Sequence, residues 1–363
     1  MLDLLKKYRI ELHQIPEIAL KEFKTNNYIK NVLKNYTCKI FEIYKTSVLA
    51  YFDLGFDETL AFRADMDALK ICENTNLSFA SNITGYMHAC GHDGHMSILL
   101  GLAKYVNDNT EQIRKNVLLI FQPAEETIGG AQGIIKTNIL KKLKVTEIYG
   151  LHLWPNLEKG KIFSKPNYMM SQANEINIKI IGKSVHIANY QKGVDSLYIG
   201  CLLVNKLYKM IEECVTEENK ILKFGIFKSG KVLNVISDNT LIKGSLRTYD
   251  HNDFRKIVEN IVEIKKILEF DYKCEIKINF KSAYPALRND YDLFAKVKKI
   301  IDLHELKTPV MQSEDFAFYG KTVKSLYMFV GLGNQTNLHK NDFDFDMDVL
   351  MDGLNAFIKI ING

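Results

Sequence analysis

The stretch KNVLLIFQPAEE, residues 115–126, decides the fold. Val117 to Phe121 form an uninterrupted apolar run of strand length, which reads as a strand buried on both faces. It ends abruptly in Pro123, Ala124 and the paired carboxylates Glu125 and Glu126. Two further segments repeat the design. TLAFRAD, residues 59–65, runs into Met66-Asp67, and VTEIYGLHLWP, residues 145–155, carries His152 at its far end. Helical spacing fills the intervals, in MSILLGLAKYVNDN (96–109) and GGAQGIIKTNILKKL (129–143). Strands alternating with helices predict a mostly parallel sheet covered on both faces, with ligands bound at the carboxyl edge of the strands.

The pattern changes near Ser171. NEINIKIIGK is a strand, residues 194–214 are a long amphipathic helix, and ILKFGIFKSG and LNVISDNTLIKGSLRT are two strands. DFRKIVENIVEIKKILEF is a second helix and CEIKINFKSAY a last strand. The order βαββαβ is that of a ferredoxin-like α+β domain. Helix and strand alternation then resumes. The expected architecture is therefore α/β, with a discontinuous first domain (1–172 and 285–363) and an inserted second domain (173–284).

The 363 residues carry 48 basic and 43 acidic side chains, and hydrophobic residues make up 47%. This near balance, without a basic block interleaved with aromatics, argues against a nucleic-acid partner. No apolar run is long enough to span a bilayer, and no membrane partner is expected. Six cysteines without framework spacing point to reduced thiols, and so to a cytoplasmic location.

The donor-rich part of the chain is GYMHACGHDGHM, residues 85–96, with His88, Cys90, His92 and His95. Thiolate and imidazole together are the ligands preferred by zinc and its borderline neighbours. Gly91 allows the tight backbone that turns Cys90 and His92 to one side of a loop. One segment does not fill a coordination sphere. The adjacent Glu125 and Glu126 suit two separate jobs, one binding metal and the other moving a proton. His152 and His339 complete a set large enough for two ions.

FRADMDAL, MHACGHDGHM, FQPAEETIGGA, GLHLWP, SEDFAFY and LHKNDFDFD occur in an order that resembles the two-metal aminoacylase/carboxypeptidase superfamily. They are most similar to its amidohydrolase subgroup, which includes hippurate hydrolases, auxin-conjugate hydrolases and N-acetyldiaminopimelate deacetylases. The likeness runs from LHQIPEIALKEFKT to the C-terminus. It implies that Cys90 bridges two divalent ions (manganese, zinc, cobalt or nickel), with His92 and His152 on one and Glu126 and His339 on the other. Glu125 would be the general base, and Asp65 or Asp67 would orient a ligand histidine. The resemblance also makes the discontinuous α/β domain the catalytic one and the inserted domain a lid and dimerisation domain, in which His186 would reach the scissile carbonyl, often from the partner subunit of a homodimer. Asn234 and Arg247 would contact the substrate's carboxylate or carbonyl. The implied reaction is amide hydrolysis of an N-acyl-L-amino acid, with N-acetyldiaminopimelate, as in lysine biosynthesis, ahead of hippurate or a broad substrate range.

The chain departs from the subgroup at Ser184-Val185, where Gly-Gly is usual, at Tyr190-Gln191 and at Lys70. Two rivals remain: a metal-free cysteine hydrolase built on Cys90, and a non-catalytic metal-binding protein on the same scaffold.

Overall fold

The computed structural model describes residues 1–214, 220–333 and 337–363, apart from the side chains at 214, 282 and 283. The chain divides into two compact units, Met1–Met169 with Leu287–Pro309 and Glu314–Gly363, and Met170–Ala286 with Val310–Ser313.

In order, the first unit contains helices α1 (Leu2–His13) and α2 (Phe23–Leu33), strands β1 (Lys39–Phe41), β2 (Val48–Phe52) and β3 (Thr59–Asp65), and helix α3 (His92–Asp108). Strand β4 (Asn116–Gln122), helices α4 (Gly130–Lys136) and α5 (Ile139–Lys142), and strands β5 (Val145–Trp154) and β6 (Ile162–Ser164) follow. Strand β7 (Asn167–Met170) closes this part of the chain. The second unit supplies β8 (Gln172–Ile181), α6 (Ser196–Cys214), β9 (Lys220–Ser229), β10 (Asn239–Thr248), α7 (His251–Tyr272) and β11 (Glu275–Tyr284). The first unit resumes with β12 (Leu287–Asn289), α8 (Tyr291–Ile300), β13 (Leu303–Glu305), β14 (Lys324–Gly331) and α9 (Val349–Asn362).

Among the described residues the first unit has an eight-stranded sheet in the order β1-β2-β4-β3-β5-β14-β6-β13. Its centre, β4-β3-β5-β14, is parallel, and the antiparallel pairs lie outside it. Every residue of β2, β3 and β4 is buried. Val117, Leu119 and Phe121 join a core with α1, α3 and α9, while the equally buried Leu118 and Ile120 point to the opposite face. Both faces are thus covered, as the unbroken apolar runs predict.

The second unit is a four-stranded antiparallel sheet in the order β11-β8-β10-β9. Ile176, Ile178 and Ile180 of β8 pack with Leu203 and Leu207 of α6 and Ile257 and Ile261 of α7. This is the ferredoxin-like arrangement expected. Among the described residues, no helix is long and apolar enough to cross a membrane.

Three boundaries differ from expectation. Helix α3 begins at His92, four residues before the apolar spacing starts, because Gly91 takes the left-handed conformation (φ 79°) that turns the chain into its first turn. The donor-rich segment is therefore half helix, where a loop was expected. The single helix expected over 129–143 is split into α4 and α5 at Asn138, another left-handed residue (φ 60°). Strand β10 starts at Asn239, so residues 233–238 lie before it.

Candidate metal centre

The candidate donors gather where the parallel strands end. Cys90 Sγ lies 3.4 Å from His152 Nε2 and 3.3 Å from His339 Nε2. Two donor triads share it: Cys90 with His92 and His152, and Cys90 with Glu126 and His339. Within each, one atom per residue lies inside a 4.8 Å cluster. His339 is brought in from a late segment, in a left-handed conformation (φ 65°), by its N–H donating to the Ala89 carbonyl at 2.8 Å.

Hydrogen bonds aim the rings. His92 Nδ1–H donates to the Asp67 carbonyl at 2.8 Å, and His152 Nδ1–H to the Leu153 carbonyl at 2.8 Å. Each bond fixes the tautomer that leaves the Nε2 lone pair free to bind a cation. His92 Nε2 and Glu126 Oε1 are buried without a hydrogen-bond partner among the described residues, although His339 Nε2 stands 3.1 Å from the latter. Buried polar atoms are normally paired, so an unpaired His92 Nε2 beside Glu126 and Cys90 fits a site built for cations. Sulfur, nitrogen and oxygen donors in triads suit divalent ions of the zinc and manganese kind.

Electrostatics agree with this fit. Burial, together with Glu126, Glu125 and Asp65, pushes the Cys90 thiol well above its ordinary range. Burial and the neighbouring Glu314 and Glu126 push the Glu125 carboxyl well above its own. Burial would lower His92, but Asp65, Asp67 and Glu126 outweigh it and hold the imidazole up at about 10. The polypeptide alone thus crowds acidic groups that hold on to their protons, and bound cations can take the place of those protons.

The two aspartates hold different partners. The Asp67 carboxylate accepts the backbone N–H groups of Glu125 and Glu126, both at 3.0 Å, its main-chain carbonyl holds His92 Nδ1, and its Oδ1 stands 3.6 Å from the same ring nitrogen. Asp65 accepts from His95 Nδ1 at 2.7 Å. His95 Nε2 in turn accepts the Leu153 N–H at 2.9 Å, so both its ring nitrogens are committed and it pins the backbone beside His152.

Composition gave no sign of one network beside Glu125. Buried Arg63 donates to Asp65 (2.7 Å), Glu314 (2.9 Å), Asp315 (2.7 Å) and Gln122 (3.0 Å). The Asp315 N–H lies 3.4 Å from Glu125 Oε1, and Glu125, Glu314 and Asp315 form one carboxylate cluster. The one available signal was an arginine inside an otherwise apolar strand, TLAFRAD.

His186, Asn234 and Arg247 belong to the second unit. His186 is exposed, its Nδ1 accepts the Ala188 N–H at 3.2 Å, and Asn234 Nδ2 stands 3.5 Å from its Nε2. The structure pairs these two. Arg247 is half-buried and spends one N–H on the Met311 carbonyl at 2.8 Å, and burial lowers its pKa.

An α/β sheet with clustered Cys, His and Glu at its carboxyl edge, plus a ferredoxin-like unit within the chain, defines a metallohydrolase architecture. Residues 61–363 match peptidase family M20/M25/M40, and the chain belongs to that family of hydrolases. An uncharacterized hydrolase of Staphylococcus aureus (strain USA300) is 32% identical over 390 residues, covering 99% of this chain and 98% of the relative. An uncharacterized hydrolase of Staphylococcus epidermidis is also 32% identical, with the same coverage. Among solved structures, a candidate aminohydrolase from methicillin-resistant Staphylococcus aureus superposes with a TM-score of 0.93 at 28% identity, covering 99% and 96% of the two chains. The Bacillus subtilis YXEP protein, a dinuclear metal-binding peptidase of the M20 family, gives 0.87 at 26% identity, covering 99% and 97%.

Proposed function

We propose that this chain is a di-metal amidohydrolase that cleaves the amide bond of N-acyl-L-amino acids, with N-acetyldiaminopimelate as the first substrate to test. The observation that carries this reading is the pair of donor triads sharing Cys90, with Glu125 beside them. Cys90, His92 and His152 would hold one ion, and Cys90, Glu126 and His339 the other. Bound there, two divalent cations (manganese, zinc, cobalt or nickel) supply Lewis acidity and lower the pKa of water.

The chain's own groups do the rest. Glu125, whose burial strengthens it as a base, takes the proton of the attacking water and returns it to the leaving nitrogen. Asp67 fixes the backbone beneath Glu125 and Glu126, and Asp65 acts through His95 on the backbone next to His152. His186 is assigned to the scissile carbonyl, and Asn234 and Arg247 to the substrate's carboxylate or carbonyl. The discontinuous unit is assigned the chemistry, and the inserted unit substrate closure and homodimer formation. Exposed Ile226, Phe227 and Leu233 on and after the edge strand β9 support the last assignment.

Free-amine release by manganese-loaded protein tests the reading, with N-acetyl-LL-diaminopimelate and hippurate compared side by side, each with a chelator control. Chelator-sensitive turnover is expected, and the ratio of the two rates assigns the substrate branch. Activity that survives chelation and dies on thiol alkylation would overturn it in favour of a cysteine hydrolase. Two bound ions with no turnover, unchanged in Glu125→Gln, would leave a non-catalytic metal-binding protein.

A further inference from the structure

Glu22 has no part in the donor set, yet it is fully buried at the start of α2. Its Oε1 accepts two backbone N–H groups, from Leu20 at 2.9 Å and from Ala124 at 3.0 Å. Oε2 accepts the Thr46 hydroxyl at 2.5 Å. Leu20 and Ala124 are both left-handed, each with φ of 60°. That conformation costs a non-glycine residue on the order of 1 kcal/mol or more, and one oxygen holds both.

Ala124 is the residue at which the chain turns out of β4 into the two candidate carboxylates. The next two N–H groups, of Glu125 and Glu126, are taken by the two oxygens of Asp67. Three successive amides are therefore held by two buried carboxylates, one from the start of α2 and one just past β3. Removing Asp67 would also disturb the backbone that holds His92. The hydrogen bonds of Glu22 go to Leu20, Ala124 and Thr46 and to none of the donors, so its effect on the loop can be separated from ligand loss.

We propose that Glu22 is a positioning residue for the hydrolysis proposed above: by fixing the left-handed Ala124 it sets the direction in which Glu125 and Glu126 leave the end of β4. The inference rests on the hydrolase reading for its catalytic consequence, and on the hydrogen bonds alone for its structural one.

The test compares the parent with Glu22→Ala, Glu22→Gln and Thr46→Val, using whichever substrate the parent turns over. Hydrogen exchange of the segment 121–131 is measured in the same variants without added metal, and manganese stoichiometry by calorimetry. Glu22→Ala is expected to exchange that segment faster. Its kcat should fall about 100-fold, the scale of an ångström-sized misplacement, with KM and stoichiometry nearly unchanged. Glu22→Gln keeps an acceptor for Leu20 and Ala124 and is expected to recover kcat to within about tenfold of the parent, since a neutral bond has roughly half the strength of a charged one. Thr46→Val, which withdraws only the hydroxyl donor, gives a smaller fall in the same direction and serves if Glu22→Ala does not fold.

A parent without chelator-sensitive turnover removes the reading beneath the proposal. A parent that turns over, with a folded Glu22→Ala variant that keeps parental exchange and kcat, removes the proposal alone. Loss in Glu22→Gln as deep as in Glu22→Ala also overturns it, because the acceptor would then not be what matters.

Discussion

At the scale of single residues, the site divides into side chains that announce themselves and side chains that only the fold explains. Cys90, His92, Glu126, His152 and His339 stand out because thiol, imidazole and carboxylate are the side chains that suit cations and packing has no use for them in that number. Arg63 is silent in the sequence because its partners Glu314 and Asp315 lie 251 and 252 residues further on, and only the sheet brings them together. Its guanidinium faces three buried carboxylates, Asp65, Glu314 and Asp315. Arg63→Met would leave them without their common cation. Removing one partner of a buried ion pair costs roughly 3–5 kcal/mol, so denaturant unfolding should show a loss of that order. The loss should be smaller in acid, where protonation relieves the stranded charge. A variant within about 0.5 kcal/mol of the parent, the range of neutral surface changes, would show that the network carries no net stability.

Elements were legible where one force dominates their pattern. The buried strands β3, β4 and β5 show as apolar runs, and α6 and α7 as amphipathic periods. The start of α3 was hidden because its first turn carries His92, Asp93 and His95, so function overrides the apolar period there. His92 and His95, three apart on one helical face, serve the donor cluster and Asp65 respectively. Backbone approach was also invisible. A Cβ on Gly130 would lie 1.8 Å from the Pro123 carbonyl oxygen, whereas one on Gly101 would meet the Leu5 side-chain tip at 2.4 Å. A carbonyl in the loop before Glu125 has nowhere to move, but a leucine methyl can rotate. Gly130→Ala is therefore expected to lose activity and at least the roughly 1–3 kcal/mol typical of overpacking, and Gly101→Ala to lose less and keep its activity. Equal melting shifts and equal activities would contradict the distinction.

At the scale of the whole molecule, pH acts through buried charges outside the donor set. His13 of α1 lies between Asp93 Oδ2 at 2.8 Å and Glu73 Oε1 at 3.2 Å. Burial would lower His13, but its bonds to Asp93 and Glu73 outweigh it and raise it to about 9. Burial would raise Glu73, but His13 and Thr75 bring it down to about 2. The imidazolium's contribution is complete below its ordinary pKa of 6.5 and disappears as pH climbs through about 9. The Glu73 contribution is complete above 4.5 and disappears as pH falls through about 2. Glu22, raised to about 7 chiefly by burial, adds a loss that runs from about pH 4.5 to 7, since ionising it costs more in the folded state. Unfolding free energy should therefore peak near pH 4.5 and fall towards pH 9, with a shallower slope above pH 6.5 in His13→Gln. A parent most stable at pH 8, or a slope unchanged by the substitution, would refute this.

Assembly is the property that sequence and single-chain structure reach least directly, because a surface left apolar shows only by its exposure. Strand β9 is an edge of the four-stranded sheet. It exposes Ile226 and Phe227, the segment after it exposes Val232 and, at 98%, Leu233, and α6 adds Leu197 and Tyr198. An open edge flanked by this much apolar surface is one that proteins normally cover. If a second copy of the chain covers it, light scattering gives twice the chain mass. Ile226→Glu combined with Leu233→Glu, both at exposed positions, should then give a monomer with unchanged circular dichroism. The same variant separates two ideas about His186. If that histidine acts across the dimer, turnover falls with the mass, and metal binding does not. If it acts within its own chain, the monomer keeps its kcat. A parent that is already a fully active monomer removes both the dimer and the shared histidine.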